Sequence, residues 1–96
     1  MATRRLPPLR ALEAFVRTVR LGSARAAADE LGLSPSALSR RIGNLEEFVG
    51  KKLFTRARQS MKLTDDGHAF FEAVNPQLEA LARAVESQSE NLSVLR

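Results

Sequence analysis

In the run SPSALSRRI, Arg40 follows Ser36 by one helical turn and Ser39 by one residue. A guanidinium is a planar fork of donors that matches paired acceptors such as O6 and N7 of a guanine, and serine hydroxyls can bond base edges or phosphates. On a helical wheel Leu38, Ile42, Leu45 and Val49 fall on one apolar stripe. Ser36, Arg40, Gly43 and Glu47 lie opposite, with Ser39 on a shoulder. The outward face therefore reads hydroxyl, guanidinium, glycine, and the glycine would let backbone come close to a duplex. Pro35 either starts the helix or packs on a thymine methyl. Arg41 sits beside the buried face, placed equally for a salt bridge or a phosphate. Glu47 is expected to be solvated or paired with a nearby arginine.

The elements that position this face are marked by caps and glycines. In AAADELGLSPSALSRRI, Ala27 and Ala28 are small enough for two helices to cross closely. Gly32 can adopt the left-handed conformation that ends a helix. Ser34 is a good N-cap, and Pro35 suits the first helical position. The spacing of Ala28, Gly32 and Leu38 is that of a helix-turn-helix whose second helix enters the major groove N-terminal end first. Before it, Leu6-Pro7-Pro8 is expected to start a helix carrying Leu9, Leu12, Phe15, Val16 and Val19 on one face and ending at Gly22. Ser23 caps the next. After Gly50, the stretch KKLFTRARQSMKLT reads as two short strands around a basic tip near residues 57–60. Three helices and a two-stranded wing make a mainly α, winged helix-turn-helix fold.

Thr64 caps a fourth helix, with Asp65 and Asp66 suited to its positive end. Phe71, Leu78, Val85 and Leu92 repeat at one heptad position, and Val74, Leu81, Gln88 and Leu95 at the other. About 3.5 heptads suggest a helix made to pair with another helix, because the three-helix core looks too small to cover the whole stripe. Lying along its own domain is the other use of such a stripe. Pro76 removes a backbone bond and crowds the carbonyl of Glu72, so a kink is expected there, or a break with Asn75 capping the second half.

Composition narrows the partners. Residues 1–63 carry thirteen Lys/Arg and five Asp/Glu, a net of +8, and residues 64–96 carry two and six, a net of −4; together they give the +4 of the chain. A basic front and an acidic tail suggest that the front meets a polyanion. There is no cysteine, which excludes disulfides and thiolate metal sites. No apolar run approaches the roughly 20 residues of a membrane span, and no apolar stretch follows the basic start at Arg4 and Arg5. The expectation is a cytoplasmic protein without a membrane partner. His68 is the single histidine and reads as a surface or packing residue, so no metal site is expected. All five aromatics are Phe and most sit on apolar stripes, against a stacking platform for single strands. No nucleophile–base pair or phosphate loop is visible, so neither an enzyme nor a cofactor is expected.

The segments LRALEAFVRTVRLGS, AAADELGLSPSALSRRIGNLEEFVGKKLF and LTDDG, in that order, resemble the N-terminal domain of LysR-type transcriptional regulators. The likeness runs from about Leu9 to Val85. It implies a bacterial regulator that binds double-stranded DNA as a dimer or tetramer, with the fourth helix as an antiparallel dimerising linker. It also implies a small-molecule effector bound by a further domain absent from this chain. On this reading residues 1–63 are the DNA-binding domain and 64–96 the linker helix. The chain departs from the family at Ala24, where an aromatic is common, at Arg25-Ala26, where Thr-Arg is common, and at Pro35, where Gln is common. A base contact at Pro35 is then lost or moved to Ser36, and the target sequence does not carry over from relatives.

The DNA-contacting set expected from the residues is Ser23, Arg25, Ser34, Pro35, Ser36, Ser39, Arg40, Arg56, Arg58 and Lys62. Ser23 and Ser34 cap helices whose N-termini attract anions, and capping alone also explains them. Arg25 is expected on a phosphate, and Arg56, Arg58 and Lys62 belong to the wing. Dimerisation is assigned to Phe71, Val74, Leu78, Leu81, Val85 and Leu92, with Phe70 and Phe71 also packing the helix on its own core. The rival reading is a protein-interaction module in which the heptad helix is the functional surface.

Overall fold

The computed structural model describes residues 5–57 and 60–94. The elements are α1 (Leu9–Leu21), α2 (Ala24–Leu31), α3 (Pro35–Val49), β1 (Phe54–Ala57), β2 (Ser60–Leu63) and α4 (Asp65–Val94). This is the winged helix-turn-helix expected above, and each local signal can be followed into it. Gly22, Gly32 and Gly50 all take positive φ, 68°, 69° and 74°, and end α1, α2 and α3. Ser23 Oγ accepts from the Ala26 N–H and Ser34 Oγ from the Ala37 N–H, each at 3.1 Å. Thr64 Oγ1 accepts from the Gly67 N–H at 2.9 Å and so caps α4. β1 and β2 are antiparallel, with Phe54 opposite Leu63, Thr55 opposite Lys62, Arg56 opposite Met61 and Ala57 opposite Ser60.

The core lies between α1, α2 and α3 and is closed on one side by Leu53 and Phe54. Ala27 and Ala28 are buried at the helix crossing, and Leu38, Ile42 and Leu45 hold α3 beneath its neighbours. Phe15 is fully buried. Its ring lies 5.6 Å from that of Phe54, 5.4 Å from Phe70 and 6.3 Å from Phe71, so the wing and α4 are joined to the helical core through one side chain.

Three expectations are corrected. α1 begins after the prolines rather than on them. Pro7 is held out of the helical region by the proline that follows it, and Pro8 is extended (φ −57°, ψ 135°), its carbonyl accepting from Ala11 and Leu12. Leu9, placed on the apolar face, is 50% exposed, because the helix overhangs the core at its first turn, where the buried face starts at Ala11. At Pro76, where a kink or a break is expected, the break is excluded. α4 runs unbroken through it, and Asn75 donates from Nδ2 to Glu79 Oε1 at 3.5 Å rather than capping a second helix. No helix of the described residues is long and apolar enough to cross a membrane.

The entry of α4 is set by a close approach. A Cβ at Gly67 would stand 2.1 Å from the Leu53 carbonyl oxygen and 2.8 Å from a Leu63 methyl. The Leu53 carbonyl also accepts from the Thr64 N–H at 3.0 Å, so it cannot retreat without losing that bond. Gly67→Ala is expected to destabilise the chain by about 2 kcal/mol despite alanine's helix preference, since overpacking typically costs 1–3 kcal/mol; urea denaturation measures it.

Candidate nucleic-acid interface

The Ala28–Leu38 segment is built as a turn between two capped helices. The Leu33 N–H donates to the Ala28 carbonyl at 2.8 Å across Gly32. Ser34 Oγ, besides capping α3, lies 3.3 Å from Ser36 Oγ. The first turn of α3 thus presents the Ser34 and Ser36 hydroxyls, while its own caps take the Ala37 and Leu38 N–H groups. Pro35, Ser36 and Arg40 are exposed, and Ser39 and Gly43 are half-buried. Leu38, Ile42 and Leu45, on the far side, are buried. The structure therefore brings Ser34, Pro35, Ser36, Ser39 and Arg40 together on one outward surface. Arg41 is half-buried and Glu47 exposed.

The other expected contacts flank that surface. Ser23 caps α2, and exposed Arg25 stands beside it at the rim of a hollow lined by Val19, Ala24, Phe54, Met61 and Leu63. Arg25 is thus brought toward the wing. In β2, Met61 and Leu63 turn inward and are half-buried, while Lys62 between them is exposed. Arg56 lies in β1, its side chain outside the described set, and Arg58 lies outside the described residues.

Two features of this surface escaped the sequence reading. Glu46 is buried on the apolar side of α3, and Lys52 borders a groove with Ser36, Ser39, Arg40, Gly43 and Glu46. Glu46 follows Ile42 by four residues, so a carboxylate on the buried stripe was the signal available. Lys52 had none, since its place is set by the path of a loop. Among the described residues no cluster of three potential metal-ligating His, Cys, Asp or Glu occurs.

The stripe of α4 divides in two. Phe71, Val74 and Leu78 are half-buried against the chain's own core. Leu81 and Val85 are 47% and 58% exposed. They line a groove of about 390 Å³ between α1 and α4, together with Leu9, Val16, Arg17 and Leu78. Arg20 Nη2 lies 3.5 Å from Glu79 Oε2 across it. Leu92 falls within α4, its side chain outside the described set.

Residues 9–68 match the family model described as bacterial regulatory helix-turn-helix protein, lysR family. The chain is 38% identical over 90 residues to the glycine cleavage system transcriptional activator of Escherichia coli K12, covering 91% of this chain and 30% of that protein. It is 44% identical over 87 residues to an uncharacterized HTH-type transcriptional regulator of Sinorhizobium fredii, covering 91% and 29%. The chain thus spans about three tenths of the length of these curated relatives. Among solved structures, the BenM DBD/benA site 1 DNA complex superposes with a TM-score of 0.75 at 35% identity, over 86% of this chain and 96% of that one. The CbnR DBD–DNA complex gives 0.75 at 30% identity, over 88% and 97%.

Gly43 tests what the outward face is for. It sits within α3, and a Cβ there would meet nothing within 4 Å, so neither packing nor a turn requires glycine. Gly43→Ala is expected to stabilise the folded chain by up to about 1 kcal/mol, the helix-interior difference between the two residues, in urea denaturation, while weakening retention on a DNA column.

Proposed function

We infer the function from one premise: this chain belongs to the lysR family of bacterial regulatory helix-turn-helix proteins. It is a double-stranded-DNA-binding module, with α3 as the helix laid in the major groove. The observation that carries this reading is the two-sided character of α3. Leu38, Ile42 and Leu45 are buried under α1 and α2, and that burial leaves Ser36 and Arg40 exposed on the opposite side. The net +8 of residues 1–63 supplies the attraction for a polyanion.

The roles divide by reach. Arg40 is the base-reading residue, with Ser36 and Ser39 on base edges or nearby phosphates, and Gly43 permits close approach. Ser23, Arg25, Ser34 and the wing residues Arg56, Arg58 and Lys62 hold phosphates and set register. Residues 1–63 form the DNA-binding unit, and 64–96 the helix through which two copies pair. Pairing uses the distal part of the stripe, where Leu81 and Val85 lack cover from their own domain. A two-fold pair would present its α3 helices to half-sites whole helical turns apart, about 10 bp each. The protein works in the cytoplasm as a transcription regulator rather than an enzyme, and any small-molecule effector would be sensed outside these residues.

Selection of bound duplexes from a random pool tests the reading, and a site with two related halves is expected. On the selected site Arg40→Ala should cost about 1–3 kcal/mol of binding and relax preference at one base pair, whereas Lys62→Ala should weaken all sequences alike and lower the salt slope by about 0.9. Equal losses for Arg40→Ala on selected and random DNA would remove its assigned role. Leu81→Glu should convert the dimer to a folded monomer in sedimentation equilibrium; an unchanged mass would place pairing elsewhere and favour the distal stripe as a surface for another protein.

A further inference from the structure

We propose that Glu46 is a positioning residue for DNA binding, tying the loop before the wing to α3 so that Lys52 and the wing stand in register with the Arg40 face. The proposal rests on the DNA-binding reading above. Glu46 is 8% exposed, and a buried carboxylate is costly unless it is hydrogen-bonded. Both its main-chain carbonyl and its carboxylate are bonded to the chain that follows. Its main-chain carbonyl accepts from the N–H groups of Gly50 at 2.8 Å and Lys51 at 3.2 Å. Its Oε2 accepts from those of Leu53 at 2.8 Å and Phe54 at 3.2 Å. Four of the five N–H groups from Gly50 to Phe54 thus end on one residue of α3.

The same loop is held on its far side by α4, through Thr64 Oγ1 donating to the Lys52 carbonyl at 2.7 Å and the Thr64 N–H donating to the Leu53 carbonyl. Glu46 supplies the matching tie to α3. The consequence falls on Lys52. Its ammonium lies 4.0 Å from Glu46 Oε1 with the side chain 82% exposed, a pair worth little in itself. The charge therefore remains available where Ser36, Ser39, Arg40 and Gly43 border a shared groove. A DNA strand following α3 would run its phosphates past that edge. An apolar side chain at position 46 could fill the stripe, but it could not receive two backbone donors and fix the direction of the loop.

Two substitutions separate reach from charge. Glu46→Gln keeps an oxygen able to take both N–H bonds and removes the charge; Glu46→Asp keeps the charge and withdraws it by one methylene. Binding of the 96-residue chain to a random-sequence duplex is measured against salt, with Lys52→Ala in each background. E46D is expected to have a log–log slope shallower by about 0.9 or more, one phosphate contact, and K52A should then remove little further. E46Q should keep the wild-type slope, and K52A should lower it by the full amount. The proposal is overturned if E46D retains the wild-type slope, if K52A costs the same in both backgrounds, or if E46Q binds more tightly with K52A silent, which would mark Glu46 as a repulsive charge only. Should E46D lose its far-UV helicity, Glu46→Met, which fills the stripe but accepts neither N–H, takes its place with the same expected and overturning results. A wild-type chain that fails to bind the duplex overturns the DNA reading itself, whereas normal wild-type binding beside an unaltered E46D overturns this proposal alone.

Discussion

Phe15 is where the parts of this molecule meet. Its ring is fully buried and touches an aromatic from the wing, Phe54, and two from α4, Phe70 and Phe71, with centroids 5.4–6.3 Å apart in edge-on or tilted arrangements. Such pairs add modestly to the burial of the rings themselves. Their larger effect is geometric. A chain of this size has one small core, and if each element packed on a different part of it, the wing and α4 could shift independently of the helix-turn-helix. Converging on one side chain in α1, they share one anchor.

The polar contacts complete what the apolar core begins. Leu53 is buried beside this cluster, and its backbone is bonded to two different elements. Its N–H donates to Glu46 and its carbonyl accepts from Thr64, while Gly67 passes so close that no side chain would fit. α3, the wing and α4 are therefore registered to one another at a single residue of extended chain. Burial keeps these bonds from competing water, so each is costly to leave unmade. A surface meant to meet the rigid spacing of phosphates and base edges needs such registration, because contacts misplaced by a fraction of their length contribute little.

The helix α4 answers two demands with one stripe. Its proximal part packs Phe71, Val74 and Leu78, half-buried, on the chain's own core, and its distal part carries Leu81 and Val85 beyond it. Rigid continuity between the two parts is what would transmit the spacing of a pair to the two α3 helices. The unbroken course of the helix through Pro76 is consistent with that demand. Pro76 is exposed, so the carbonyl it leaves unpaired can turn toward water.

Much of this was legible in the residues. Ser23, Ser34 and Thr64 next to apolar periodicity, and Gly22, Gly32 and Gly50 after it, determine where helices begin and end, because capping and left-handed backbone are local properties. The alternation of Leu38, Ile42 and Leu45 with Ser36 and Arg40 likewise determines which side of α3 faces outward, whatever lies beneath. Other features exist only once the chain has closed on itself. The burial of Glu46 depends on two N–H groups arriving from residues seven and eight positions later. The place of Lys52 beside Arg40 depends on the loop those bonds hold. The need for glycine at position 67 comes from a carbonyl fourteen residues earlier. The point at which the α4 stripe passes from its own core to solvent is set by the size of that core, and heptad spacing carries no measure of it. Periodicity and capping act within a few residues and so can be read along the chain, whereas these four follow from contacts between distant segments, whose energies appear only when burial removes the competing water.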